Sequence, residues 1–241
     1  MSPFVRLACI LLGLSAALPA QASELRMITL DAVPWATISP SGVPVGAFPD
    51  IVAEISRRTG VKASIAIQPF PRIERELETG EQDCTIVLWS DSRARIVERG
   101  EAVYMMTFGA IARAGVPLRS YEDLKSMTVS VVRNLAIEPR FDNDPSIRKD
   151  FDKDYETGIK KIAHNRLDAI AGAIPTIMYQ AKKDGLTKYL GDQIVMTQIP
   201  LTLQCSKASR NLALMPRLDD AIRAMRADGT LARILSAYEY R

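Results

Sequence analysis

The sequence is poor in the side chains that most enzymes use. It contains one histidine, His164, in a lysine-rich stretch where a solvated surface position explains it, and no nucleophile motif accompanies it. No G-x-S-x-G, H-E-x-x-H, P-loop or G-x-G-x-x-G pattern occurs. A lone histidine without a Cys/His cluster leaves zinc no ligand set, and no cofactor of any kind is expected. Asp219, Asp220, Glu74, Glu76 and Glu78 lie on charged helical stretches, where a solvated face accounts for them better than paired-acid catalysis. The expectation is a protein that is not an enzyme.

Charge and long apolar runs are also scarce. Lys and Arg number 31 against 28 for Asp and Glu, a net +3, and no basic block stands out, so neither nucleic acid nor an anionic membrane is implied as a partner. No segment approaches the roughly 20 apolar residues of a membrane span. The N-terminus has Arg6, an apolar run from Leu7 to Leu14, and small residues ending in Ala20-Gln21-Ala22. This is the tripartite form of a secretory signal, with residues 1–22 removed by cleavage after Ala22. Cys9 lies at the start of the apolar run, whereas a lipidation site would follow it. Losing Arg6 takes 31 basic residues to 30, leaving 30 − 28 = +2. Cys84 and Cys205 remain in a compartment that permits disulfides, and a bonded pair or two separate buried thiols both fit the spacing. An apolar content of 47% is ample for a core, and a chain this long forms one large domain or two lobes.

The pattern along the chain is strand, helix, strand, helix, strand, the signature of an α/β fold. "LRMITL" reads as a strand. "FPDIVAEISRRTG" reads as a helix capped by Asp50 and ended by Gly60, and "KASIAIQPF" as a second strand. "PRIERELETG" is a helix stopped by Gly80, and "DCTIVLW" a strand apolar enough to be covered on both faces. The pattern then restarts. "VYMMTFGAIARAG" is a long strand, "SYEDLKS" a short helix, "MTVSVV" a strand, and "SIRKDFDKDYETGIKKIAHNRL" reads as a charged helix. "DAIAGAI" is a strand, "PTIMYQAKKDG" a helix with Pro175 in its first turn, "QIVMTQIPLTLQCS" a strand, and the chain closes helix, turn, helix around Gly229. Two α/β halves joined by long strands rather than a flexible tether suggest two lobes on a hinge.

The order of motifs resembles the extracellular solute-binding proteins of family 3, the periplasmic receptors of polar amino acid ABC transporters. "LRMITLDAVPW" is similar to the family's first strand, Asp and "P-P-aromatic" turn, and "GVPVGAFPDIVAEISRRTGV" to its "G-x-P-x-G-F-x-x-D" run into a helix. "PFPRIERELETGEQD" resembles the aromatic, helix, Gly-x-x-Asp element, and "SDSRA" the "T-x-x-R-A". "YEDLKSMTVSVV", "NRLDAIAGAIPTIMY" and "ADGTLARILSAY" resemble the "DLKG", "G-x-x-D-A" and "DGT" segments. The resemblance implies a two-lobed, type II periplasmic-binding fold with two crossover hinge strands. The first lobe would hold residues 23–104 and the C-terminal return 204–241, and the second residues 105–203. Ligands of such sheets bind outside the carboxyl ends of the strands, and closure is a hinge motion. A monomer working with an inner-membrane ABC permease is implied. A ligand-sensing module without a transporter, and an enzyme of cyclohexadienyl dehydratase type on the same scaffold, are the alternatives. The latter would need Asp31 or Glu138 desolvated beside Arg93.

By the same resemblance Arg93 matches the arginine that holds a ligand carboxylate, for which a rigid fork of charged donors is suited. Bracing through Asp91 or Glu98 is its structural alternative. Ser90 matches the family threonine and would add a hydroxyl or cap the next helix. Phe70 and Trp35 fall on aromatic positions that wall the crevice, with ordinary core packing as the alternative, Asp31 follows the first strand toward the same mouth, and Arg72 offers a second cation or an ion pair with Glu76. Asn134 stands at a second-lobe strand exit where the family has Gly and then Ser or Thr. Ala173 occupies the position, five past Asp168, where α-amino-acid binders carry the acid that holds the ammonium. The stretch from Asp83 to Arg93 is shorter than in those binders, placing Leu88 and Trp89 where small polar contacts stand. These departures imply a different ligand class or a relocated acidic partner such as Asp31.

Overall fold

The protein is described by a computed structural model over residues 24–238. The expected signal segment lies outside these residues. Strand β1 (Leu25–Thr29) buries every residue but Arg26, as the first apolar run requires. A turn leads to a small hairpin of β2 (Thr37–Ile38) and β3 (Pro44–Val45). Helix α1 (Ala47–Thr59) turns Ile51, Val52 and Ile55 inward and ends at Gly60 in the left-handed conformation, φ 69°. It starts earlier than Asp50. Gly46 takes the N-cap position, and Asp50 sits in the first turn, where it accepts a hydrogen bond from Tyr238. Strand β4 (Ala63–Ile67), helix α2 (Phe70–Thr79) and strand β5 (Cys84–Leu88) follow, with Gly80 ending α2 at φ 72°.

Beyond a 3-10 turn, β6 (Val97–Arg113) runs for 17 residues. The second half holds β7 (Thr128–Val132), the short α3 (Pro139–Asp142), β8 (Arg148–Asp152), α4 (Tyr155–Ala163), β9 (Ala169–Ala173) and α5 (Ile174–Lys183). The charged helix expected from Ser146 onward is divided. Its first part is β8, an edge strand paired in parallel with β7, and only the part from Tyr155 is helical. An edge strand with solvent on one side tolerates "RKDFD", so the apolar alternation that marks a strand is missing. Strand β10 (Leu190–Ser206) returns antiparallel to β6, and α6 (Met215–Ala227) and α7 (Thr230–Tyr238) close the chain.

The sheet order is β4-β1-β5-β10-β6-β9-β7-β8. Three parallel strands at each end flank the antiparallel pair β6 and β10. Helices cover both faces. Ile28, Ile73, Leu77 and Val97 form the core beneath α2, and Ile111, Ile159, Ile162, Ile170 and Ile177 the core beneath α4 and α5. Cys84 and Cys205 face each other in register on β5 and β10 with Cα atoms 4.0 Å apart, and they are joined by a disulfide, settling the choice that spacing left open. No helix of the described residues is long and apolar enough to cross a membrane.

The register places a crevice. Leu88, the last residue of β5, is opposite Leu201, which is opposite Tyr104 of β6, while Ala173, the last residue of β9, is opposite Phe108 of β6. The carboxyl ends of the two parallel sets therefore converge on one five-residue stretch of β6, Tyr104 to Phe108, about 13 Å along the strand.

Candidate functional site

Arg93 is delivered to this crevice by the turn after β5. The turn is built on Ser90, whose carbonyl accepts the Arg93 N–H at 3.0 Å. The guanidinium is 4% exposed and held on three sides. Nη1 donates to the Leu88 carbonyl at 2.9 Å and to Gln204 Oε1 at 3.1 Å, and Nε donates to Glu74 at 3.3 Å. The Phe70 ring, 41% exposed, lies 5.1 Å from the guanidinium carbon. Among the described residues Nη2 has no hydrogen-bond partner. Burial pushes the guanidinium down from its ordinary value, and the Glu74 carboxylate works against that shift. Neither Asp91 nor Glu98 braces it. Asp91 accepts from the Trp89 indole at 2.8 Å, and Glu98 pairs with Lys207.

The partners Glu74 and Gln204 lie 19 and 111 residues from Arg93. Glu74 is one helical turn beyond Phe70, so α2 brings an aromatic and an anion to Arg93 from one face. Gln204 is fully buried and fixes its own orientation by donating to the Val87 carbonyl at 3.0 Å. A glutamine at an inward position of a long apolar strand was the available signal for it.

The remaining candidates divide. Ser90 stands at the N-cap position, but its hydroxyl pairs with Ser92 at 2.7 Å and does not cap. Arg72 is ion-paired with the buried Glu76 on its own helix. Asp31 is exposed. Asn134 is exposed just past β7 and takes a left-handed conformation, φ 62°, which Asn tolerates. Trp35 is buried, packed 5.8 Å from Phe48 and 5.0 Å from Tyr104, and its indole N–H donates to Thr176 at 3.0 Å. Thr176 is in the first turn of α5, so this bond crosses the crevice from one half of the sheet to the other. Trp89 lies under Arg99, whose guanidinium carbon is 4.8 Å from the ring.

Tyr155, which the sequence reading did not single out, opens α4, packs on the core beneath α4 and α5, and reaches the carboxyl end of β9. Its hydroxyl accepts the Ala173 N–H at 2.9 Å, and burial pushes that hydroxyl up to about 12. Gly172 makes the approach possible, because a Cβ there would lie 2.4 Å from the tyrosine oxygen. Glu138 lies elsewhere, in a recess of about 380 Å³ with Arg119, Tyr121 and Arg140. A second recess of about 460 Å³, lined by Val103, Tyr104, Met105, Leu231 and Leu235, likewise excludes Arg93.

An α/β sheet with parallel strands at each end, two long crossover strands and a crevice at the strand ends defines a two-lobed periplasmic-binding fold of type II. The chain belongs to the bacterial extracellular solute-binding proteins, family 3, whose model matches residues 25–239. It is 26% identical over 209 residues to the probable amino-acid-binding protein YxeM of Bacillus subtilis (strain 168), covering 82% of this chain and 77% of that protein. An ancestral cationic amino acid solute-binding protein shares the fold with a TM-score of 0.76 at 18% identity, over 90% of this chain and 96% of the other. So does a histidine kinase sensor domain, with a TM-score of 0.70 at 16% identity, over 90% of this chain and 95% of the other.

Proposed function

We propose that this protein is a periplasmic receptor that captures a small carboxylate-bearing solute, an amino acid or related anion, between its lobes for uptake through an inner-membrane ABC permease. One observation carries the reading. Arg93 is fixed by Leu88, Gln204 and Glu74 through Nε and Nη1, while Nη2 has no partner among the described residues. A guanidinium oriented in advance loses little freedom when a carboxylate docks, and the Phe70 ring supplies an apolar wall beside it. The lobes are residues 23–104 with 204–241, and residues 105–203. Exported by the N-terminal signal, the receptor works as a monomer. Ser90 and Asn134 contribute from the two rims, and Trp35 reports and stabilises closure through Thr176. A sensory module would use the same closure; genes for a permease and an ATPase beside this one separate the two roles.

The test is a thermal-shift screen against amino acids, dicarboxylates, aromatic acids and small amines, since a ligand that binds the folded state raises its melting temperature by mass action. A carboxylate should raise it, and Arg93→Ala should abolish the rise. Binding confined to amines, or an undiminished shift in the variant, would sink the reading.

A further inference from the structure

We propose that Tyr155 is the residue through which the second lobe selects its ligand. It selects a hydrogen-bond acceptor, the hydroxyl, oxo or second carboxylate group of an organic acid, at the place where an ammonium would otherwise sit. The inference rests on the carboxylate reading of Arg93 and adds the identity of the group at the ligand's other end.

Three observations support it. The Tyr155 oxygen already accepts the Ala173 N–H at 2.9 Å, so the hydroxyl is committed as an acceptor to the backbone and offers its proton as a donor. No hydrogen-bond acceptor for that proton occurs among the described residues. Its place is the carboxyl end of β9, the wall of the crevice, since Thr176, three residues past Ala173, is reached from the opposite half by the Trp35 indole. With its hydroxyl pushed up to about 12 the tyrosine stays protonated at neutral pH, so it presents a donor and no negative charge.

The surroundings carry the same polarity. Helix α5 starts at Ile174 with no acidic residue in its first turn and no side-chain cap, so its positive end faces the same volume. The acids next to Tyr155 in sequence are already engaged. Asp154 caps α4 through the Thr157 N–H and pairs with Lys153, and Asp152 pairs with Lys161 and accepts from Ser130. An ammonium brought here would give up its hydration for a wall of donors, a cost that burial of an unpaired charge makes large. An acceptor oxygen gains the phenol instead. Gly172 shows that the arrangement is built in, because any side chain at that position would displace the tyrosine ring.

The experiment compares matched acids that differ only at the second carbon. The probes are pyruvate, lactate and alanine; 2-oxoglutarate, 2-hydroxyglutarate and glutamate; and phenylpyruvate, phenyllactate and phenylalanine, titrated by calorimetry against the protein and three variants. The protein should bind the 2-oxo or 2-hydroxy member of the accepted skeleton at least tenfold more tightly than the amino acid. Tyr155→Phe should weaken that member about tenfold and collapse the ratio. Ala173→Asp, which puts a carboxylate beside the phenol, should shift the ratio toward the amino acid, and it carries the test if Tyr155→Phe does not fold. An amino acid bound as tightly as its oxygen analogue, or a ratio unmoved by both variants, overturns the role of Tyr155. Arg93→Ala separates the two readings. If it abolishes binding while the Tyr155 ratios stay flat, the carboxylate clamp stands and this inference alone falls. If it leaves binding intact, or if no acid of the panel binds, both fall.

Discussion

Reducing the disulfide should cost the protein a large part of its thermal stability and leave its ligand affinity untouched. Cys84 and Cys205 are 121 residues apart in sequence, and the loop they close contains the whole second half of the sheet. A cross-link over so long a loop restricts the unfolded chain, and loop-closure entropy puts the stabilisation at about 5 kcal/mol. For a chain of this size about 2–4 °C of melting temperature goes with each kcal/mol, so full reduction should lower it by roughly 10–20 °C. The bond opens β5 at the end opposite the crevice. Four strand steps, about 13 Å, lead from Cys84 to the Leu88 carbonyl, and Gln204, although next to Cys205, is held independently by the Val87 carbonyl, so both groups that fix Arg93 Nη1 stay in place. Melting followed by circular dichroism with and without phosphine reductant, beside a thiol titration showing both sulfurs free, gives the first quantity, and calorimetry gives the second. A drop below about 3 °C in fully reduced protein would refute the entropic argument. A Kd weakened more than about threefold would refute the separation of the bond from the site.

Acid should unfold the protein in part through Asp83. Burial pushes this carboxyl up, but hydrogen bonds from Arg26, Ser209 and Asn211 outweigh that and hold it below its ordinary value. A depressed folded-state value contributes stability above the unfolded value, about 3.9 for Asp, and that contribution is lost as pH falls through the folded value. Asp83→Asn should flatten the urea stability profile below about pH 4, and a profile identical to wild type there refutes the assignment. Asp83→Ala at pH 7 should cost about 3 kcal/mol by urea unfolding, and a loss under 1 kcal/mol would show the network to be dispensable. Gly172→Ala should destabilise by about 1–3 kcal/mol through overpacking against Tyr155, seen as a lowered melting temperature that Tyr155→Ala in the same chain relieves.

The elements with strong local signals were legible. Gly60 and Gly80 end their helices as expected, and the long apolar strands became the crossover pair. The edge strand β8 was not, because a strand open to solvent shows charged residues where the pattern rule looks for apolar ones. The candidate site was legible in part. "SDSRA" pointed to Arg93, but its partners Glu74 and Gln204 belong to other elements, and only the folded chain brings them within reach. Tyr155 left no local trace, since a tyrosine opening a charged helix reads as surface. Its position depends on β9 lying beside β7 and on a glycine 17 residues later.

The sequence holds two tryptophans, and both stand at the crevice. Trp35 reaches across it to Thr176, and Trp89 sits at the exit of β5 with its indole N–H on Asp91. Under the proposed closure this gives the protein its own optical gauge: opening the lobes would break the Trp35 bond and admit water to a buried indole, moving its emission to longer wavelength. With Trp89→Phe removing the second emitter, stopped-flow fluorescence would time closure without any attached label.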